Sequence, residues 1–358
     1  MSMNKARYTQ EVPEDRKELL NALNEHKKPV KIMILGGVDT GKTTLATFLA
    51  NELLSSGFRI AIIDSDIGQK GILPPATISL GFPEGLFESF GEIKAYKHYF
   101  VGSITPNQFF GEMIAGVKLL TDEAEKKADI IIIDTTGMIS GAGVELKRMK
   151  IETVKPDVIV ALQKENELEP ILKPFEEKTQ IFRLEVSKKV RKFSREERRE
   201  IRKEKWREYF KDSKSYTVNL NHFIISGTQL FQGEEINENE KSLLEALFKW
   251  LIIHGRKIGG KYLIVKVDTA NIPRQVDKNV LQYIDFEKLS NLLLGMIDKD
   301  GFCVGLGILK FVNFRDMKAE ILTPLDEETI KKIREIRFGR VRVREDGEEL
   351  GLLDRNAL

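Results

Sequence analysis

A glycine-rich segment, GGVDTGKTT at residues 36–44, restricts the possible folds of this chain more than any other feature. It lies between an apolar run at residues 30–35 and a helical pattern at residues 42–55. The segment contains the complete phosphate-loop pattern, Gly36-x-x-x-x-Gly41-Lys42-Thr43. A strand before the pattern and a helix after it are its expected context. The sequence therefore predicts an α/β nucleotide-binding domain.

This loop is expected to bind the triphosphate of a nucleotide, and ATP is the expected nucleotide. The predicted nucleotide-binding residues are Gly36, Gly37, Val38, Asp39, Thr40, Gly41, Lys42, Thr43 and Thr44. Backbone N–H groups of such a loop point inward at an anion, and the helix start adds a positive dipole end. Lys42 would neutralise the β- and γ-phosphates, and the Thr43 hydroxyl would bind Mg²⁺. The loop alone does not identify the reaction, because GTPases, motor ATPases, carriers and kinases all contain one.

Four short apolar runs of strand length indicate the rest of the fold. They are Val30–Leu35, Arg59–Asp64, Ala128–Asp134 and Pro156–Leu162. Strands that are apolar throughout and alternate with helices are typical of a mostly parallel sheet flanked by helices. Runs with a strand pattern after Gly260 predict a smaller β-rich part. The predicted fold class is therefore an α/β phosphate-loop NTPase with a small β-rich C-terminal domain.

A chain of 358 residues is expected to contain two domains. We predict a charged N-terminal extension at residues 1–28, a phosphate-loop domain at residues 29–255 and a β-rich domain at residues 256–358. The extension is expected to contain a short helix near Arg16–Asn24, and the phosphate-loop domain a late helix near Glu238–Ile253. The glycine-containing segment His254–Gly260 is the predicted linker between the two domains.

Composition excludes several classes of protein. Hydrophobic residues make up 41% of the chain and charged residues 31%, which is typical of a globular protein. The single cysteine, Cys303, excludes a disulfide framework and a multi-cysteine zinc site. We find no apolar stretch of about 18 residues and no charged-then-apolar leader, so we expect a soluble, cytoplasmic protein without a membrane partner. The net charge is only +2, so a nucleic-acid partner must be argued from local patches.

Two carboxylates follow the second apolar run, in the segment DSDIGQ. Asp64 and Asp66 would lie at the carboxyl end of a parallel strand, where α/β sheets bind ligands, and alternation would place both on one side. Phosphoryl transfer needs one acid near Mg²⁺ and another that can accept the proton of an acceptor hydroxyl. The residues alone do not say which of the two acids takes which role. The alternative is that both are solvated acids that cap the next turn.

A third strand ends in DTTGM, residues 134–138. Asp134 resembles the acid after a hydrophobic strand in phosphate-loop proteins, which acts on Mg²⁺ indirectly. Thr135, Thr136 and the backbone of Gly137 could bind a phosphate group. A simple turn at the strand end is the alternative, because Thr and Gly are common in turns.

Residues 188–211, KKVRKFSREERREIRKEKWREYFK, form a strongly basic run. Its arginines recur at steps of three and four residues, so a helix would gather some of them on one face. The guanidinium fork suits phosphoryl groups, and a helix that closes over ATP would add positive charge and exclude water. The alternative is an ordinary solvated helix, which is the usual structure of such runs.

Taken together, these segments resemble the RNA 5′-hydroxyl kinases of the Clp and Grc type. The resemblance is carried, in order from about residue 30 to residue 215, by the stretches GGVDTGKTT, DSDIGQKGILPPATISLGF, FVGSITP, DTTGM and VRKFSREERREIRKEKWREYF. It implies transfer of the ATP γ-phosphate to the 5′-hydroxyl of RNA, and in some members of DNA. RNA or DNA with a 5′-hydroxyl end and ATP are therefore the expected partners, and Mg²⁺ the expected cofactor.

The resemblance also implies roles for individual residues. Lys42 and Thr43 would hold phosphates and magnesium, and Asp66 would activate the acceptor hydroxyl. Asp64, two residues before it, is then the acid predicted to act on magnesium, directly or through a water. Residues 135–138 look like the family's clasp, which grips the acceptor phosphate, and the basic run looks like its lid. The predicted acceptor-binding residues are Gln69, Thr135, Thr136, Gly137 and Met138, and the predicted catalytic lid residues are Arg195, Arg198 and Arg199.

The chain departs from the family pattern at three places. The clasp commonly ends in tryptophan, whereas Met138 stands there, which would weaken stacking on the first base. Phe193 stands where the first lid arginine is expected, and Arg191 or Arg195 could substitute for it. Only about 28 residues precede the first strand, which suggests a compact prokaryotic or archaeal member.

Other interpretations remain open at the level of the sequence. The strand RFGRVRVRE, residues 337–345, could present basic side chains to a nucleic-acid backbone or could be a charged edge strand. The chain as a whole could be a kinase-inactive ATP-binding scaffold, a switch-type ATPase or GTPase, or a kinase of small molecules.

Overall fold

Isoleucine-rich strands form the centre of the first of two compact units. The computed structural model describes residues 14–270 and 276–357, and the units divide between Lys205 and Trp206. The strands of the described part of the first unit are β1 (Val30–Gly36), β2 (Ile60–Asp64), β3 (Thr77–Gly81), β4 (Ala95–Phe100), β5 (Ile130–Asp134), β6 (Val158–Gln163) and β7 (Gln180–Glu185). Its helices are α1 (Glu14–Glu25), α2 (Lys42–Ser55), α3 (Phe110–Glu125), α4 (Ala142–Val154), α5 (Glu169–Leu172) and α6 (Arg195–Phe210), the last of which continues into the second unit.

The sheet of this unit has the strand order β4-β3-β2-β5-β1-β6-β7. The pairs from β2 to β7 are parallel, and β3 and β4 are antiparallel additions at one edge. Every residue of β2 and β5 is buried, as expected for strands covered by helices on both faces. The predicted α/β class and its four apolar strands are therefore confirmed.

Helix α1 belongs to the core of the first unit. Leu19 and Leu23 have no exposed surface and join the hydrophobic cluster that contains Ile32 and Leu49. The predicted N-terminal helix is therefore present, but residues 14–25 pack as part of the domain instead of forming a charged extension. Residues 1–13 of the expected extension lie outside the described residues.

The second unit is rich in strands, as predicted. Its strands are β8 (Lys214–Asn219), β9 (Ile224–Ser226), β10 (Glu234–Glu235), β11 (Trp250–Ile258), β12 (Lys261–Asp268), β13 (Leu281–Asp285), β14 (Leu292–Ile297), β15 (Cys303–Asn313), β16 (Lys318–Thr323), β17 (Glu335–Val343) and β18 (Glu349–Leu352), with helices α7 (Glu238–Phe248) and α8 (Glu327–Ile330). One group of strands has the order β18-β17-β14-β15, extended by β16 and β8, and β10-β11-β12-β13 forms a separate sheet.

The division between the units lies about fifty residues before the predicted boundary at residue 255. The predicted linker, His254–Gly260, is instead the end of β11 and the turn of a β-hairpin, in which Ile258 pairs with Lys261. Gly259 and Gly260 both have positive φ, which is what a two-residue hairpin turn requires. The helix expected over Glu238–Ile253 ends at Phe248, because the following residues enter β11.

The basic strand β17 has a structural role. It pairs with β14, β18 and β9, so it is not an edge strand. The buried Arg340 donates hydrogen bonds to the carbonyl oxygens of Gly227 and Arg355, and Arg342 donates to those of Ser290 and Glu287. These guanidinium groups satisfy backbone carbonyls within the fold. The alternative of a charged edge strand is therefore wrong, whereas a contact of this strand with a nucleic-acid backbone stays a prediction.

No helix within residues 14–270 and 276–357 has both the length and the apolar character that crossing a membrane requires.

Candidate active site

The phosphate loop connects β1 to α2, as the sequence predicts. Strand β1 ends at Gly36 and helix α2 begins at Lys42. A side chain at position 36 would clash, because a Cβ there would lie 2.9 Å from the Leu162 carbonyl oxygen. Gly41 has a φ of 87°, a left-handed conformation that only glycine adopts readily. The glycines of the pattern are thus required by the shape of the loop.

Lys42 lies folded over this loop. Its side chain is buried, and Nζ donates a hydrogen bond of 2.6 Å to the Gly37 carbonyl oxygen. Burial lowers the pKa of Lys42, and the charges of Asp134 and Asp66 oppose the shift. A buried cation enclosed by a glycine-rich loop is suited to the phosphates of a nucleotide.

Thr43 and Asp134 form the polar pair expected of a magnesium site. The Thr43 hydroxyl donates to Asp134 Oδ2 at 2.6 Å, which leaves the lone pairs of its oxygen for a cation. Asp134 Oδ1 is buried and has no hydrogen-bond partner within the described residues. Burial raises the pKa of Asp134 to about 7. An orphaned carboxylate oxygen beside a hydroxyl oxygen fits a hard divalent cation, which prefers oxygen ligands.

Asp64 holds the loop that follows β2. Its Oδ2 accepts backbone N–H groups of Gly71 and Ile72 at 2.7 and 2.9 Å, and Lys70 Nζ lies 3.3 Å away. Its Oδ1 accepts the N–H of Asp66. The expected magnesium role of Asp64 is therefore not supported, because both oxygens already hold the loop after β2 in place. Asp134 on the adjacent strand supplies the carboxylate beside Thr43 instead.

Asp66 lies at the carboxyl end of β2, as predicted, and is half-buried. Its Oδ1 accepts the backbone N–H groups of Gly68 and Gln69 at 3.0 and 2.9 Å, which fixes the side chain. Its charge acts on Lys42 and on the buried Lys150, in both cases favouring the ammonium form. The predicted proton acceptor and the phosphate-loop lysine therefore belong to one electrostatic site. Gln69 is beside it, with Nε2 donating to the Gly68 carbonyl oxygen.

The predicted clasp lies against the phosphate loop, although one of its hydroxyl groups is already hydrogen-bonded to the backbone of β1. A Cβ on Gly137 would be 2.8 Å from the backbone nitrogen of Val38, so only glycine allows this approach. The buried Thr135 hydroxyl donates to the Ile34 carbonyl oxygen at 2.8 Å, which does not support the prediction that it binds the acceptor. Met138 is half-buried, and its acceptor-binding role remains a prediction.

Buried lysines beneath the clasp were not predicted from the sequence. Lys147 Nζ donates to the carbonyl oxygen of Thr136 at 2.6 Å and to its hydroxyl at 3.1 Å. Lys150 Nζ donates to Ser65 Oγ at 3.3 Å. Burial lowers the pKa of both lysines, that of Lys150 to about 7. The sequence does contain a signal for these lysines, because both fall on the face of α4 that also carries the buried Leu146.

Among the predicted lid arginines, Arg198 contacts the phosphate loop. Its Nη2 donates to Asp39 Oδ2 at 2.5 Å, and its charge lowers the pKa of Lys42. Arg195 and Arg199 are exposed, and their catalytic roles remain predictions. Arg191, a possible substitute for the missing first arginine, pairs with Glu197 at the surface.

Comparison with known proteins gives consistent results. Residues 36–212 match the model of the mRNA cleavage and polyadenylation factor CLP1 P-loop. A polyribonucleotide 5′-hydroxyl-kinase of Methanocaldococcus jannaschii is 63% identical over 356 residues, which cover 99% of each chain. One of Pyrococcus abyssi is 63% identical over 358 residues, 100% of both chains. A chain of the wild-type Clp1p–Pcf11p complex has a TM-score of 0.60 at 15% identity, covering 92% of this chain and 79% of that one. At that identity, the likeness shows the fold alone.

Proposed function

Because the chain belongs to the polyribonucleotide 5′-hydroxyl-kinase family, we propose that it transfers the γ-phosphate of ATP to the 5′-hydroxyl end of RNA. The observation that carries this proposal is the buried Lys42 in a complete phosphate loop, with Asp66 near enough that its charge favours the ammonium form of that lysine. A cation for the transferring phosphoryl group and a base for the acceptor hydroxyl are the two groups that this reaction needs.

The proposed reaction is an in-line transfer of the γ-phosphoryl group. The 5′-oxygen of the acceptor attacks the γ-phosphorus, the bond to the β-phosphate oxygen breaks, and ADP leaves. The proton of the hydroxyl passes to the Asp66 carboxylate as the new bond forms. Lys42 and Arg198 stabilise the negative charge of the transferring group, and holding donor and acceptor in line supplies much of the rate.

We assign the magnesium ion of this reaction to the Thr43 hydroxyl, with Asp134 behind it. When bound, Mg²⁺ would neutralise charge on the β- and γ-phosphates. The O–H of Thr43 is already directed at Asp134, so its oxygen presents lone pairs to the phosphate side. The buried Asp134 Oδ1 could accept a hydrogen bond from a water on the ion.

The acceptor end is assigned to the segment that lies against the loop at Gly137. Thr136, Gly137, Met138 and Gln69 would contact the first nucleotide, and the absence of an aromatic residue at position 138 favours weak discrimination between bases. DNA with a 5′-hydroxyl end is a second acceptor under this proposal, because none of the assigned contacts requires a 2′-hydroxyl group.

A labelling experiment tests the proposal. ATP labelled in its γ-phosphate is incubated with Mg²⁺ and a short 5′-hydroxyl RNA, its DNA counterpart, or the same RNA already phosphorylated at the 5′ end. Label should appear in the 5′-hydroxyl RNA and be absent from the phosphorylated control. ATP binding without any labelled RNA would favour a kinase-inactive scaffold. Rapid ATP hydrolysis in the absence of an acceptor would favour a switch-type ATPase. Labelling that does not depend on oligonucleotide length would favour a kinase of small molecules.

Two variants test the residue roles in the same assay. Lys42→Ala should lower transfer on the order of 10³-fold, by analogy with removing charge stabilisation elsewhere. Asp66→Asn should abolish transfer while ATP affinity is kept, because the amide cannot accept the proton. Weaker ATP binding in Asp66→Asn would instead assign this carboxylate to the metal.

A further inference from the structure

A carboxylate within the phosphate-binding loop itself needs an explanation. Asp39 lies in the loop between Gly36 and Lys42, where a triphosphate would be bound. Its negative charge would repel that ligand, so its presence is unfavourable for nucleotide binding alone. The residue also adopts a φ of 53°, a left-handed conformation that Asp tolerates better than most residues.

Both hydrogen bonds that the structure gives this carboxylate come from the lid segment. Asp39 Oδ2 accepts the backbone N–H of Phe193 at 3.2 Å and Nη2 of Arg198 at 2.5 Å. The Arg198 guanidinium is also held within the lid segment, since its Nε donates to the Phe193 carbonyl oxygen at 3.2 Å. The side chains of the ion pair are only 17% and 20% exposed, which limits competition from water. The Phe193 peptide and Arg198 together enclose the carboxylate.

The pairing places positive charge where the reaction needs it. Arg198 is bound to Asp39 and Lys42 to the Gly37 carbonyl oxygen, so both cations are held against the same short loop. By contrast, Arg191 lies at the surface, with 55% of its side chain exposed, and pairs with Glu197 inside the lid. A contact that holds one selected arginine beside the phosphate-loop lysine is suited to positioning it for the transition state.

We propose that Asp39 is a positioning residue for catalysis, which anchors the lid at Phe193 and holds the Arg198 guanidinium over the transferring phosphoryl group. This role rests on the proposed kinase function. Asp39 itself transfers no proton and contacts no substrate atom; it acts through Arg198. The electrostatic cost of a carboxylate in the loop is offset because its charge is neutralised by that arginine.

The variant Asp39→Asn tests the proposal because it should lower kcat without weakening ATP binding. The amide keeps the size of the side chain but loses the charge that holds Arg198. The kcat for RNA phosphorylation should fall about tenfold to a hundredfold, as for the loss of one charged hydrogen bond. ATP affinity should be unchanged or tighter, because a repulsive charge has left the loop. A kcat equal to that of the wild type would overturn the proposal.

A double-mutant cycle separates positioning from a general disturbance of the loop. If Asp39 acts through Arg198, the variant with both Asp39→Asn and Arg198→Gln should have the kcat of Arg198→Gln alone. Independent effects that multiply in the double variant would contradict the proposal. The matched control is Asp122→Asn, which removes a carboxylate from the surface pair with Lys118 and should change neither constant.

A measurement without catalysis distinguishes failure of this inference from failure of the kinase function. Absence of labelling by the wild type would refute the kinase function, and amide hydrogen exchange would still test the lid contact. The peptide that contains Phe193 should exchange faster in Asp39→Asn than in the wild type, because its N–H loses a charged acceptor. Equal exchange in the two proteins would show that the carboxylate does not anchor the lid.

Discussion

Replacing Lys150 with methionine tests the energetic consequence of the buried charge beneath the site. The lysine side chain has no exposed surface, and burial lowers its pKa to about 7. An unfolded chain would give it the ordinary lysine pKa of about 10.4. The difference between these values destabilises the folded protein by about 4 kcal/mol at pH 7, at 1.36 kcal/mol for each pKa unit.

The sign of the pH dependence follows from which state binds the proton. Between pH 7 and pH 10 the unfolded chain holds the Lys150 proton and the folded protein has lost it, so the lysine contributes stability that rises with pH. The free energy of unfolding of the wild type should therefore gain about 2 kcal/mol relative to Lys150→Met between pH 7 and pH 9. At pH 7 the methionine variant should be the more stable protein, because methionine fills similar space without a charge.

Urea unfolding of both proteins at pH 7, 8 and 9 measures this difference. The control is Lys118→Met, which removes a lysine of the surface ion pair with Asp122 and should not reproduce the gain in stability at pH 7. RNA phosphorylation by Lys150→Met should be slower despite the gain in stability, since Ser65, next to Asp66, loses the hydrogen bond from Lys150. Parallel pH curves for the wild type and Lys150→Met would refute the reasoning, because they would show that the folded protein leaves this lysine charged.

Two further variants test neighbouring parts of the site. Thr43→Val should lower transfer by about 10²-fold or more while ATP binding without Mg²⁺ is retained, because only the metal-holding oxygen is lost; equal losses of ATP affinity with and without the metal would contradict the assignment. Lys147→Met should raise the KM for RNA by about tenfold and leave that for ATP unchanged, because Thr136 loses two hydrogen bonds from Lys147. A rise in the KM for ATP alone would show that Lys147 supports the phosphate loop and not the clasp.

The sheet could be predicted because its central strands are buried on both faces. In β2 and β5 every position is apolar up to the final aspartate, so burial alone selects these segments as strands. The boundary between the units was harder, because the glycine pair at residues 259–260 signals a turn equally well in a linker and in a hairpin. The pairing of the flanking strands decides between them, and in the structure Ile258 pairs with Lys261 directly across the two glycines.

The assignment of the metal-site acid shows a similar limit. Asp64 and Asp134 are direct partners in adjacent parallel strands, so both end at the same edge of the sheet. Sequence spacing does not say which of them faces Thr43. The difference arises from the chain after β2, which turns back so that the N–H groups of Gly71 and Ile72 reach Asp64. The phosphate loop, by contrast, is local, and its sequence predicts its geometry.

The buried lysines of α4 carry a signal that sequence reasoning can use. Positions 146, 147, 150, 151 and 154 form one buried stripe of the helix, and two of the five residues are lysines. A lysine on such a stripe usually reaches the surface through its long stem, whereas Lys147 and Lys150 have no exposed surface. Because burying an ammonium group is unfavourable, it is retained where nearby acids or substrate phosphates use its charge. A lysine on the apolar stripe of a helix that follows a phosphate-binding turn is therefore a candidate site residue.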